Sequence, residues 1–142
     1  MPDDERSPDD RDQQTFVVNH LDENSFQPGL RDYHAYRDLG IAAATNGKAV
    51  AHVAKVTGPC PEGGSGWHYH DTEFQFVYVL KGSITVEFEG QGPVEMKAGT
   101  TWLQPPRIKH QVLGFSDDME ALEIVLPANF GTTECDPPGG SS

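Results

Sequence analysis

At 142 residues the chain is long enough for one domain and short for two. Its formal net charge is −12, and a surface this acidic repels phosphate backbones and anionic lipids. The longest apolar run is only a few residues, and no charged-then-apolar leader opens the chain. We therefore expect no nucleic-acid partner, no membrane association and no secretion.

The two ends of the chain are poor in side chains that could be buried. Residues 1–12 hold six acidic residues, two arginines and, after Met1, no aliphatic side chain. The last residues are mostly small or polar, and both compositions favour disorder. The sequence thus predicts an acidic disordered tail over 1–13, a single domain over 14–130 and a flexible tail over 131–142.

The only two cysteines, Cys60 and Cys135, are far apart in the sequence. Small secreted domains that are held together by disulfides have more cysteines than this. We expect both residues to be free thiols and the protein to be cytoplasmic.

Between the tails, short apolar runs rich in Val, Ile, Phe and Tyr alternate with turn residues such as Asn46-Gly47. The runs cover residues 15–18, 41–45, 49–56, 74–80, 84–88, 94–96, 101–103, 111–115 and 121–126. No window of eleven residues shows a 3.6-residue stripe, so the pattern predicts an all-β sandwich or barrel. The less regular segment 20–40 is predicted to wrap the barrel as an N-terminal arm.

Three histidines have a spacing that favours metal binding. His68 and His70 are two residues apart, which places both imidazoles on one face of a strand. His110 opens a later strand after the loop QPPRIKH. Three imidazoles from two hairpins suit one divalent transition metal ion, with Fe, Zn, Ni, Cu and Mn all left open.

These residues resemble the two motifs of the cupin family, G-x5-H-x-H-x(3,4)-E-x6-G and G-x5-P-x-G-x2-H-x3-N. The first pattern is followed by His68, His70, Gln75 and Gly82, and the second by Gly99, Pro105, Arg107, His110 and Gly114. The spacing agrees over a motif core at 63–114. The resemblance implies a double-stranded β-helix, or jelly-roll barrel, with the metal on the three histidines and position 75 as a fourth ligand.

The chain departs from the motifs at four positions. Glu62, Arg107 and Gly114 replace turn or packing residues, which affects the fold little. Gln75, however, stands where the family has its glutamate ligand. An amide there would leave a divalent ion its full +2 charge and favour an anionic, chelating substrate. Gln75 either coordinates the metal directly or lies just outside the ligands as a hydrogen-bond donor.

Further candidates lie around this centre. His52, in the middle of AVAHVAKV, is either an acid, base or donor in the pocket or a residue packed at an interface. Tyr69 is a weaker candidate for a general base. Arg107 either clamps a substrate carboxylate or is a solvated turn residue. His20 and His34 lie outside the motifs and are expected to be surface or loop residues.

Alternation along the strand FQFVYVL predicts which side chains line the pocket. If Gln75 points inward, Val77 and Val79 do too, and three aromatic residues (Phe74, Phe76 and Tyr78) form an apolar outer face. Such a face predicts a homodimer. Further candidates for the wall or rim of the pocket are Trp67, Trp102, Tyr69 and Phe115.

The resemblance favours a dioxygenase that acts on a small chelating anionic or enolic substrate, because cupins with three histidines and no tight carboxylate include such enzymes. Two alternatives stay open at this point. One is a non-redox isomerase, lyase, cyclase or hydrolase, with the metal as Lewis acid and His52 as base. The other is a cupin that binds a small ligand without turnover.

Overall fold

The structure is a computed structural model that describes residues 13–29 and 32–139. Within these residues, a 3-10 helix at Glu23–Ser25 and a single α-helix, α1 (Ile41–Ala44), accompany eleven strands. The strands are β1 (Gln27–Pro28), β2 (His34–Asp38), β3 (Val50–Val56), β4 (His68–Asp71), β5 (Phe74–Lys81), β6 (Ser83–Phe88), β7 (Gly92–Lys97), β8 (Thr101–Leu103), β9 (His110–Phe115), β10 (Glu120–Leu126) and β11 (Gly131–Glu134). None of the described helices is long and apolar enough to cross a membrane.

Two antiparallel sheets make up the fold, which confirms the all-β prediction. One sheet has the strand order β1-β2-β3-β10-β5-β8, and the other has the order β11-β4-β9-β6-β7. Neighbours in these orders are often distant in sequence, as β3 and β10 are. The sheets bring strands from both halves of the chain to one interior.

The interior is filled where the inward faces of both sheets meet. Val77 and Val79 of β5 are buried against Ile84 and Val86 of β6. Gln75 lies on the same inward face and is only 3% exposed. Along β5 the exposure alternates, since Phe74 and Tyr78 are 41% and 40% exposed. The predicted parity of this strand is therefore confirmed.

Three segments differ from their predicted structure. Residues 15–18 form no strand, and α1 replaces the strand predicted at 41–45, since alanines without cross-strand partners close a turn of helix between Gly40 and Thr45. The segment 20–40 is not merely an outer arm, because β2 pairs with β3 from His34 to Asp38 and so belongs to the six-stranded sheet.

The domain also extends past the predicted boundary at 130. Residues 131–134, predicted to begin the flexible tail, pair with β4 as β11. Cross-strand hydrogen bonds to an otherwise open edge order a segment that has little apolar surface of its own. The acidic tail predicted at 1–13 lies, except for residue 13, outside the described residues.

Candidate metal centre and its cavity

Three histidines converge at the interior end of β4 and β9. His68 and His70 lie on the same face of β4, and His110 is the direct cross-strand partner of His68. One ring nitrogen from each of the three lies within 4.8 Å of the others. This convergence is what the sequence predicts for a shared metal ion.

Each histidine is fixed through its other ring nitrogen. Nδ1 of His68 is 2.9 Å from the carbonyl oxygen of Gly66, and Nδ1 of His110 is 3.0 Å from that of Ile108. Nδ1 of His70 is 2.8 Å from the hydroxyl of Thr132 on β11. A carbonyl oxygen only accepts, so Nδ1 carries the proton in His68 and His110, and Nε2 keeps its lone pair. This arrangement fits a divalent transition metal ion.

Burial keeps His110 neutral. The pKa of His110 is lowered to about 4, chiefly by desolvation and to a smaller extent by the neighbouring His68 and His70, although a hydrogen bond from its ring to the backbone of Ile108 opposes the shift. A neutral imidazole is the form that binds metal, so no proton has to be displaced from this ring near neutral pH.

Gln75 lies beside the histidines in a buried network of amides. Its Nε2 donates to the carboxylate of Glu123 on β10, and its Oε1 is 3.4 Å from Nε2 of Gln104. Nε2 of Gln104 is also 3.3 Å from Nε2 of His110, the nitrogen left for a metal. The amide oxygen of Gln75 and the three imidazoles therefore surround one region. Direct coordination by Gln75 stays a prediction.

Glu123 joins Gln75 to His52. Its Oε1 is 2.7 Å from Nε2 of His52, and its Oε2 accepts from Gln75. Burial alone would raise the pKa of Glu123, but the hydrogen bond and charge of His52, with the hydrogen bond of Gln75, hold it below its usual range. A carboxylate thus lies one hydrogen bond behind Gln75, while the expectation that a neutral set of direct ligands leaves the ion its +2 charge stays a prediction.

The histidines open into a cavity of about 390 Å³ between the sheets. Trp102, Val77, Val86 and Phe130 are among the residues that line it, and the ring of Phe130 lies 5.6 Å from that of His70. A second wall comes from the segment around β2, and it consists of Tyr33, His34 and Tyr36. The surface position expected for His34 is therefore wrong: alternation along β2, once that strand joins the sheet, turns its ring toward the interior. His20 is exposed, as expected.

Comparison with known proteins agrees with this geometry. The family model described as "Cupin domain" matches residues 60–125. The chain contains a cupin domain. No curated protein matches the chain in sequence.

Solved structures with the same fold include several cupins of different activity. KdgF from Halomonas sp. is 21% identical, with a TM-score of 0.60 over 80% of this chain and 94% of that one. The polyketide cyclase RemF from Streptomyces resistomycificus is 17% identical, with a TM-score of 0.65 over 85% of this chain and 87% of that one. The Fe(II) form of HppE is 16% identical, with a TM-score of 0.59 over 78% and 60%. At these identities the likeness shows the fold alone.

Most of the other residues that the sequence suggested for the pocket wall lie away from the cavity. Tyr69 stands between His68 and His70 on β4, on the opposite face, and is not among the residues that line the cavity. Trp67 and Phe115 are likewise absent from its lining, whereas Trp102 belongs to it. The role predicted for Tyr69 as a base therefore finds no geometric support.

Arg107 is on the surface of the cupin domain and pairs with an acid. Its guanidinium is 3.1 Å from Oδ1 of Asp71, and both side chains are mostly exposed. Its φ is +62°, in the left-handed region where the family motif has glycine. The exposed ion pair favours the solvated-turn interpretation over the substrate clamp.

Two polar residues of the site were not singled out from the sequence. Glu123 lies within ALEIVL, where it shares a face with Ala121 and Val125, both buried. No local signal marks this face as the buried one, because Leu122 and Ile124 make the opposite face more apolar. Gln104 lies in the loop before Pro105, and nothing in its spacing distinguishes it.

Proposed function

We propose that this cupin is a metal-dependent enzyme that moves a proton on a small, enolic, oxygen-chelating substrate, as in an isomerisation, elimination or cyclisation. The observation that carries the proposal is the His52–Glu123 pair, at 2.7 Å, in the same cavity as His68, His70 and His110. A histidine oriented by a buried carboxylate is a common general base.

The roles of the residues follow from this arrangement. A divalent ion held by the three histidines, with Gln75 as fourth ligand, would act as Lewis acid and polarise the substrate oxygens. Ionised Glu123 only accepts, so it holds the proton of His52 on Nε2 and leaves Nδ1 to take a proton from the substrate. The large apolar share of the walls suits a small conjugated substrate.

Dioxygenase activity is the second candidate. The donor set of this centre is neutral, with three imidazoles and an amide, and the HppE structure of the same fold is an Fe(II) form. Imidazole ligands suit iron as well as zinc. In this candidate the same cavity would bind an enolate or catecholate for reaction with dioxygen.

One experiment separates the two candidates. Protein purified without a metal-affinity column is assayed for its metal content and then incubated with 1,3-diketones and catechols. Proton transfer predicts incorporation of deuterium from D₂O without oxygen, measured by NMR. Oxygen uptake that depends on iron, without anaerobic exchange, would establish the dioxygenase instead. Ligand-induced stabilisation with neither reaction would contradict both and indicate a binding module.

We also propose that the protein is a cytoplasmic homodimer. Phe74, Phe76 and Tyr78 form an outward face on β5, and Leu103 of the edge strand β8, the direct partner of Phe76, is 61% exposed beside them. A two-fold axis can bring two copies of such a face together and bury both. Both cysteines are free thiols, as expected in a reducing compartment.

A further inference from the structure

The carboxylate that the cupin motif places at position 75 is missing from that position, yet a half-buried carboxylate lies next to it. Gln75 replaces the glutamate, and the side chain to which its amide nitrogen donates is Glu123. We propose that Glu123 is a positioning residue for the metal centre. Its carboxylate, one hydrogen bond behind Gln75, supplies the negative charge that the motif normally provides at position 75 itself. The inference rests on the metal site of the proposed function but not on the reaction.

Strand pairing places the two residues together. On β10 and β5 the direct partners are Val125 with Gln75 and Glu123 with Val77. Glu123 and Gln75 are thus diagonal neighbours on the inward face, close enough for long side chains to meet. On the other side, Glu123 is the direct partner of His52 on β3. The register of β10 with its two neighbours fixes all three polar residues relative to one another.

The hydrogen bond determines which end of the amide faces the metal. An amide nitrogen only donates and an amide oxygen only accepts, so the carboxylate of Glu123 can pair with Nε2 of Gln75 but not with Oε1. The oxygen is therefore turned toward Nε2 of Gln104, which in turn lies 3.3 Å from Nε2 of His110. A carboxylate that accepts from a ligand's far side both orients the ligand and increases the electron density on its donor atom.

His52 contributes a second donor to the same carboxylate. Because Nε2 of His52 holds Oε1, Oε2 is the oxygen left for Gln75. Removing His52 leaves the carboxylate of Glu123 beside Gln75, whereas Glu123→Gln removes that charge and leaves only a neutral amide oxygen to accept from Gln75. These two residues can therefore be separated experimentally.

The fold contains a matched control. Gln111 on β9 donates to Glu87 on β6 at 3.0 Å, and these two residues are direct cross-strand partners. Neither residue lines the metal cavity. Glu87→Gln therefore reports what the loss of charge in a glutamine–glutamate pair costs this fold away from the metal.

The test measures Zn²⁺ affinity of metal-free protein by competition with a chromophoric chelator, without substrate. Glu123→Gln should lower the affinity about 10- to 100-fold, in the range of lost outer partners of metal ligands. Glu87→Gln should change it less than threefold. The exchange variant, Gln75→Glu with Glu123→Gln, again has one carboxylate and one amide in the pair. Its Zn²⁺ affinity should be at least tenfold higher than that of Glu123→Gln.

Loss of Zn²⁺ affinity in Glu123→Gln but not in Glu87→Gln is the outcome that a merely structural role cannot produce, because both variants remove the charge of a glutamine–glutamate pair. Thermal unfolding of each metal-free variant checks folding, and Glu123→Gln is nearly isosteric. The proposal is overturned if Glu123→Gln binds Zn²⁺ as tightly as Glu87→Gln does, or if a folded exchange variant stays as weak as Glu123→Gln. Because no step uses substrate, a protein that lacks the proposed activity would leave this result unchanged.

Discussion

His68 and His110 face each other directly across β4 and β9, with their ring centroids 4.3 Å apart. Two protonated imidazoles at this distance would repel each other in a poorly solvated interior. A metal ion removes the conflict, because both neutral rings become ligands. The pairing therefore makes the centre depend on both strands at once.

Loss of either ring should abolish tight metal binding. We expect His68→Gln and His110→Gln to lower Zn²⁺ affinity at least 100-fold, since each removes one of three imidazole ligands. His20→Gln, at an exposed position outside the site, is the control and should bind as wild type. Metal content by mass spectrometry, with competition titrations, measures the effect. Retention of wild-type affinity in both variants would exclude the three-histidine site.

The metal-free protein should become less stable as the pH falls from about 6.5 to 4. The folded pKa of His110 is about 4, below the value of an unfolded histidine, so the unfolded state binds more protons in this window. The stability from this group is complete above pH 6.5 and is lost on acidification, by up to about 3 kcal/mol.

Denaturant unfolding between pH 7 and 4 measures this dependence. The unfolding free energy of His110→Gln should depend less steeply on pH than that of wild type. The carboxylates of the protein contribute equally to both. Parallel slopes would show that His110 titrates normally in the folded state.

His52 should affect turnover and not metal binding. We expect His52→Gln to lower the rate of deuterium exchange about 10²- to 10⁴-fold, the usual contribution of a general base. Its metal content should stay unchanged, because His52 reaches the centre only through Glu123. Anaerobic NMR of substrate exchange gives the rate. An exchange rate within threefold of wild type would remove His52 from the mechanism.

Glycine at position 107 should stabilise the protein once the ion pair is accounted for. Arg107 holds φ at +62°, which costs a residue with a side chain about 1 kcal/mol relative to glycine. Its ion pair with Asp71 is exposed and weak. In an Asp71→Asn background, Arg107→Gly should therefore raise the melting temperature. A lower one would mean that the side chain has packing value beyond the ion pair.

Light scattering at micromolar concentration should give twice the chain mass of 15.5 kDa. Leu103→Lys, on the outer face beside β5, should shift the protein to monomer by burying a charge at the interface. Leu113→Lys, at an exposed leucine on the other sheet, is the matched control and should stay dimeric. A wild-type monomer would refute the predicted dimer.

The strands of the motif core and the three histidines could be predicted because period-two alternation and fixed motif spacing are local signals. Gln75 and Val77 follow the predicted inward parity for the same reason. Glu123 could not be placed in this way. In ALEIVL, Leu122 and Ile124 form the more apolar face, which local reasoning would turn inward. Pairing with both β3 and β5 instead turns Glu123 toward the cavity.

The surface position predicted for His34 is wrong for a related reason. Its segment has weak alternation, and only pairing with β3 makes it part of a sheet. β11 is a similar case, since its residues have little apolar surface and are ordered by hydrogen bonds to β4. Long-range pairing is absent from local sequence patterns, and it decides both positions.

The wall formed by Tyr33, His34 and Tyr36 comes from a part of the chain that precedes the matched cupin segment at 60–125. The three histidines and this part of the cavity wall are thus encoded in separate stretches of sequence. Substitutions in the earlier stretch can change the shape of the cavity without touching the histidines. Such a division lets the segment with the histidines stay constant while the wall of the cavity varies.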